Sequence, residues 1–199
     1  MSSLKTVLNL SIIEDRNIEE SLSKISVGSS MIPLENQKGH YLLIAGKKDP
    51  FKLGKTTLKS NNSQTNTEDI KTYLFQLETN KLELIQTNGI IPKACCFLKC
   101  LNFDNFVYCY GGLDQGQKGE LKIIKDMYCF NLNSNEWSTI TFKDKYPNDR
   151  CDFSFNKLIN IGILYGGTSL TKEQMYNELW VFNSKDQKWS LLDTQVLNI

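Results

Sequence analysis

Short runs of apolar residues alternate with polar stretches along most of this chain, and the runs recur in sets. Phe106 to Tyr110 is apolar and stops at Gly111-Gly112. A polar loop over 113–125 follows, then a run from Met127 to Leu132 that is rich in aromatic residues, then a polar turn leading into Trp137. The order returns with Ile161 to Tyr165, Gly166-Gly167, a polar loop, Glu178 to Asn183, a turn and Trp189. The glycine pairs lie 55 residues apart and the tryptophans 52. A weaker set lies upstream. Gly46 ends the run Tyr41 to Ala45, Tyr73 and Phe75 stand at the strand aromatics, and Leu82 takes the tryptophan station. Like residue types at like stations, at a fixed period, predict a repeat architecture.

Each unit reads as a small antiparallel sheet. Tyr128 and Phe130 fall on one face of their strand, as do Trp180 and Phe182, because successive side chains alternate. The paired glycines permit a sharp exit and close backbone approach where the strand ends. A large ring at 137 or 189 fills the space between neighbouring sheets. One such sheet cannot bury both faces alone, so neighbours must stack. Units over about 27–88, 89–145 and 146–192 give twelve short strands and an all-β fold. The first strand of the second unit is expected over Lys93 to Leu101, with a turn at 102–105 and an inner strand at 106–110. The third unit is expected to begin with Arg150 to Asn156. Residues 1–26 lie outside the repeats as an N-terminal extension. Leu8, Leu10 and Ile12 suggest a short strand, and Asn17 with Glu20 resembles a capping box opening a helix over 17–25.

These stations resemble the kelch repeat, and the resemblance covers about residues 27–192. The residues that carry it are Gly46, Tyr73, Phe75, Gly111, Gly112, Tyr128, Phe130, Trp137, Gly166, Gly167, Trp180, Phe182 and Trp189. It implies a partial β-propeller of three four-stranded antiparallel blades. It also implies a rigid scaffold whose loops bind protein partners. Closed propellers usually have four to eight blades. Three blades therefore leave two faces to cover, either in a longer chain, in an oligomer, or as an open fan under residues 1–26. The first of these is the leading expectation.

Composition adds limits rather than chemistry. A net charge of +1 gives no reason to expect nucleic acid or an anionic membrane as partner. No apolar run approaches the roughly 20 residues that span a bilayer. The N-terminus makes a poor signal peptide, so the chain is expected in the cytoplasm. The six cysteines, 95, 96, 100, 109, 129 and 151, lack a paired CxxC and read as reduced buried thiols. The chain has one histidine, His40, which cannot supply the His and Tyr copper ligands of galactose-oxidase relatives. No nucleophile motif accompanies it, and no phosphate-binding loop opens a helix. The expectation is a non-catalytic interaction module with no cofactor and no metal. The alternatives are an architectural subunit or a remnant of a sugar-processing enzyme. The partner itself is unknown, and its candidate contacts lie in loops 47–69, 113–125 and 168–176. Asp114, Asp149, Arg150 and Lys172 are the named candidates. For Arg150 an intramolecular ion pair is the competing role, and Trp180 is expected to pack rather than bind.

Overall fold

The computed structural model describes residues 28–44, 46, 69–115, 121–170 and 174–192. The expected N-terminal strand and helix, and most of loop 47–69, lie outside the described residues. Blade one is built from β1 (Ser30–Pro33), β2 (His40–Ile44), β3 (Thr72–Gln76) and β4 (Lys81–Leu84), paired in that order and all antiparallel. A short strand, β5 (Asn88–Gly89), leaves blade one and joins the outer edge of blade two. Blade two contains β6 (Lys99–Phe103) and β7 (Phe106–Tyr110). A ribbon of β8 (Leu113–Gln115) and β9 (Leu121–Ile123) follows, and β10 (Met127–Asn131) and β11 (Glu136–Ile140) complete the blade. Blade three contains β12 (Ser154–Leu158) and β13 (Ile161–Tyr165), a ribbon of β14 (Thr168–Ser169) and β15 (Gln174–Met175), then β16 (Leu179–Asn183) and β17 (Lys188–Leu192).

Every four-strand unit expected from the repeat is present, with the strand edges moved in a regular way. β6 starts at Lys99 rather than Lys93, and β12 starts at Ser154 rather than Arg150. The displaced residues form the links between blades. In these links Cys96 bridges Leu113 and Cys151 bridges Thr168, at stations 55 residues apart. Phe97 and Asp152 take positive φ angles of 62° and 53° beside those bridges, which ends any strand there. The first hairpin turn of blade two shrinks to Asp104-Asn105, because Asn102 and Phe103 pair with Val107 and Phe106. The first strand of each blade is also the innermost. β6 touches both β1 and β12, so the centre is lined one strand further in than the expected 106–110. In the loop after Gly112, residues 113–115 pair with 121–123 as a hydrogen-bonded ribbon.

Two layers of core lie between the three blades. Ile32, Leu42 and Ile44 of blade one meet Val107, Phe130 and Trp137 of blade two. Tyr108, Tyr110 and Met127, on the opposite face of blade two, meet Leu164, Trp180, Phe182 and Trp189 of blade three. Each tryptophan stacks on the strand aromatic it pairs with. The ring centroids of Phe130 and Trp137 are 4.9 Å apart, and those of Phe182 and Trp189 are 5.1 Å apart. In each blade this ring pair faces the blade before it. On blade one the same face carries Phe75 and Leu82, over buried Leu43 and Tyr73, and has no blade before it among the described residues.

The paired glycines act where two strands and a link crowd together. At Gly111, φ is +71° and a Cβ would lie 2.5 Å from the Phe153 ring. At Gly167, φ is +99° and a Cβ would lie 2.8 Å from the Cys151 carbonyl oxygen. Both are closed to any side chain by backbone geometry and by space.

Truncating either buried ring separates the internal layers from the end face. Trp137→Ala and Trp189→Ala should each lower unfolding free energy by about 3–5 kcal/mol, as large core truncations do. Leu82→Ala, at the same station of blade one, should cost about 1–2 kcal/mol because its side chain is only half-buried. Urea unfolding of the three variants checks the contrast, and equal costs would contradict the two-layer core.

Candidate functional site

The two ends of the blades differ in chemistry. The loop end carries the glycine pairs, the two ribbons and the links between blades. Its central feature is Arg150, which is fully buried at 0% exposure and points inward. Its Nε donates to the Asn148 carbonyl at 3.1 Å, and one terminal nitrogen donates to the Gly166 carbonyl at 3.0 Å. The other donates to Glu178 Oε2 at 2.7 Å. The guanidinium carbon lies 4.1 Å from the centre of the Tyr176 ring. Glu178 Oε2 also accepts from Trp180 Nε1 at 2.9 Å. Each guanidinium nitrogen thus donates one hydrogen bond within the chain, and one face lies on a ring. Arg150 is held in an intramolecular ion pair with Glu178 and has no exposed surface.

Burial pushes the Glu178 carboxyl up, but hydrogen bonds from Arg150 and Trp180 outweigh it and leave it below its ordinary value. Burial raises the Tyr110 phenol far above its usual range despite the nearby Arg150 charge. Its hydroxyl donates to the Pro147 carbonyl at 2.8 Å and fastens the same link. Blade two lacks this arrangement. The station of Arg150 is taken by Cys95, which is also buried, and that of Glu178 by Asp126.

The other named candidates are spread along this end. Asp149 is mostly covered and has Lys125 Nζ at 3.8 Å. Asp114 is half-buried on β8. Lys172 lies outside the described residues. The structure therefore brings Asp149 beside Arg150 in sequence but not into one exposed set. The ribbons themselves are open: Leu121 and Met175 are exposed on β9 and β15.

At the opposite end a polar group that sequence reading missed joins all three blades. Lys157 Nζ of blade three pairs with Glu35 Oε1 of blade one and donates to the Asn102 carbonyl of blade two at 2.8 Å. Asn102, buried, accepts from the Glu35 backbone N–H at 3.1 Å and donates to the carbonyls of Asp104 and Phe106. Lys157 also lies 4.5 Å from the Phe103 ring centre. Only Asn102 and Lys157 fall at related places in the repeat, and Glu35 follows a strand end. No sequence spacing signals their meeting. The group ties the blades near the axis and presents one partly exposed cation and carboxylate.

His40 is half-buried, with Nδ1 3.2 Å from the Lys38 carbonyl oxygen. Among the described residues no group of three or more His, Cys, Asp or Glu could hold a metal ion. All six cysteines are free, and five are buried. Burial pushes the Cys129 thiol up to about 11 and moves Cys109 well above its ordinary value. A cleft of about 390 Å³ lies between the outer strands of blades two and three, lined by Phe142, Lys143, Asp144, Lys145 and Lys188 among others. Lys188 and Asp144 pair across it at 3.5 Å.

Three antiparallel blades with their first strands gathered at a common centre define a partial β-propeller. The chain belongs to the kelch-repeat family. Residues 54–198 match the family described as the KLHDC2/KLHL20/DRC7 Kelch-repeats domain. Among solved structures the chain is similar to that titled "Structure of YjhT", with a TM-score of 0.61 and 10% sequence identity. That likeness is one of fold alone. It covers 84% of this chain and 51% of the other, so this chain spans about half the length of that structure. No curated protein matches the sequence. No helix among the described residues is long and apolar enough to cross a membrane.

Two outcomes follow from the electrostatics. Glu178 has a folded pKa below its unfolded value. Its pairing therefore stabilises the protein fully above the ordinary glutamate value of about 4.3, and the gain is lost as pH falls through the lowered folded value. Glu178→Gln should be less stable than the parent at pH 7, and the difference should shrink below about pH 4; unfolding curves across that range measure it. The buried thiols should resist iodoacetamide at pH 8 in the native chain, with Cys109 and Cys129 labelled only after urea unfolding; mass spectrometry of labelled peptides reads the difference.

Proposed function

We propose that this chain is a non-catalytic protein-interaction module that binds partners through the loop end of its blades. One observation carries the reading: the polar groups at that end are consumed in fixing the scaffold, while Leu121 and Met175 on the ribbons are exposed. Arg150, Glu178, Trp180 and Tyr110 hold the links, and the bridges Cys96–Leu113 and Cys151–Thr168 anchor the ribbon bases. Among the described ribbon residues Leu121, Lys122 and Met175 are exposed above those bases. Loops held on a rigid scaffold vary freely and carry recognition. Membership of the kelch family supports the same reading, since such domains commonly mediate protein interactions. The six free thiols support a reducing, intracellular setting.

The sugar-processing alternative finds less support. The polar group at the axis, Lys157 with Glu35 and Asn102, is engaged in joining blades. The architectural alternative is favoured by one specific observation, the exposed Leu158, Tyr165 and Leu192 on the outer face of blade three.

Replacing 114–122 and 170–175 together by Gly-Ser segments of equal length, which leaves the ribbon bases and Tyr176 in place, tests the reading. The parent chain, immobilised, should retain a defined set of proteins from its native extract, and the replaced chain should lose that set while keeping its cooperative unfolding. Retention unchanged by the replacement would overturn loop binding.

A further inference from the structure

The two links between blades run past the outer strands of blades two and three in different ways. Pro92 and Pro147 stand 55 residues apart, so Asn88, Gly89 and Ile90 share stations with Lys143, Asp144 and Lys145. In the first link β5 adds to β11 as a parallel fifth strand. The Asn88 N–H donates to the Asn135 carbonyl at 3.1 Å, and the Ile90 N–H to the Trp137 carbonyl at 2.7 Å. Gly89 makes this approach possible. Its φ is +82°, and a Cβ there would lie 2.2 Å from the Trp137 carbonyl oxygen. Asp144 carries the Cβ that this place excludes. The second link turns away instead, with Phe142 against Tyr146 at 5.2 Å between ring centres. Among the described residues no strand pairs with the outer edge of β17.

The space left by that turn is the cleft of about 390 Å³ between residues 140–145 and 186–189. Its backbone wall repeats the one that β5 covers. Trp189 pairs with Phe182 as Trp137 pairs with Phe130. Gln187 takes a φ of 54° where Asn135 takes 53°. The shared register therefore turns the carbonyls of Gln187 and Trp189 toward the cleft, as it turns those of Asn135 and Trp137 toward β5. An open strand edge takes an added segment through main-chain hydrogen bonds, and the side chains around it set the preference. Phe142 and Trp189 give the cleft an apolar lining. Lys143 and Lys145 stand on one wall and Lys188 on the other, against Asp144 and Asp186. Asp144 is already paired with Lys188 at 3.5 Å, so the rim is cationic.

We propose that this cleft takes an extended segment of a partner protein, with glycine at its centre and acidic residues on either side. The segment adds in parallel to the outer edge of β17, as β5 adds to β11. The residue before its glycine donates its N–H to the Gln187 carbonyl, and the residue after donates to the Trp189 carbonyl. Glycine is required between them for the reason that holds at Gly89, the close approach to a tryptophan carbonyl. The acidic flanks meet Lys143, Lys145 and Lys188. The site lies at the outer edge of blade three, away from the ribbons, so its failure would leave loop binding standing.

A fluorescein-labelled peptide, Asp-Glu-Thr-Asn-Gly-Ile-Ile-Asp-Glu, tests it on the full chain; its core repeats residues 87–91. Fluorescence anisotropy should show saturable binding, and deuterium exchange should show new protection at 140–145 and 186–189. Methylating the amide of the isoleucine after the glycine removes the hydrogen bond to the Trp189 carbonyl. Valine in place of the glycine brings back the clash. Each change should weaken binding about tenfold or more, the cost of one buried carbonyl left unmet. Lys143→Glu with Lys188→Glu should weaken it comparably and leave urea unfolding as in the parent, because both positions are exposed. Should that variant misfold, the peptide series on the parent chain still decides. Absence of saturable binding, equal binding of the methylated or valine peptide, or protection at 113–123 instead would each overturn the proposal. A parent chain that dimerises with 186–189 protected and excludes the peptide would give the cleft to a second copy and overturn it as well.

Discussion

A four-stranded sheet of this size has two apolar faces and no means of covering either. Everything else in the chain answers to that constraint. Blade two satisfies it on both sides, which is why its β7 and β10 are buried almost throughout, from Val107 to Tyr110 and from Met127 to Phe130. The ring pairs Phe130–Trp137 and Phe182–Trp189 fill the wedge between neighbouring sheets, which splay apart away from the axis. The glycine pairs let the chain leave the second strand where the link from the preceding blade runs past. The burial of aromatic area, rather than any polar contact, accounts for most of the cohesion.

The polar contacts fix geometry within that frame. Arg150 is the clearest case. A buried guanidinium is costly unless it is paired and hydrogen-bonded, and here two carbonyls, the Glu178 carboxylate and an aromatic face meet it. The result locks the link between blades two and three against the exit of β13. Cys95 stands buried at the corresponding station between blades one and two, and both links carry a backbone bridge to the following ribbon. At the other end Lys157, Glu35 and Asn102 join the innermost strands. Such partly exposed ion pairs add little energy, so their part is to set how the blades meet near the axis.

The repeat itself was legible in the sequence. Alternation placed Phe130 and Phe182 on one face, the 52- and 55-residue offsets aligned Trp137 with Trp189, and the glycine pairs located the strand exits. These signals are local, because period-two burial and positive φ leave their mark on residue type directly. Chain positions near 80, 135 and 187 also take matching positive φ at the hairpin turns, and Asn80 and Asn135 suit that backbone. Strand starts were less visible. Residues 93–98 and 150–153 have strand-like composition, and only pairing with β8 and β14 turned them into links.

What the sequence determined alone is the unit: its strands, its period, and the side that carries the rings. Tertiary structure decided which residues with no sequence relation come together. Lys157 reaches Glu35 across 122 positions, and Arg150 turns inward to Glu178 rather than outward. It also decided that the first strand of each blade, not the second, lies at the centre. The reason is physical. Alternation records whether a residue is covered, but not by what, and the identity of the cover is set only when the blades pack.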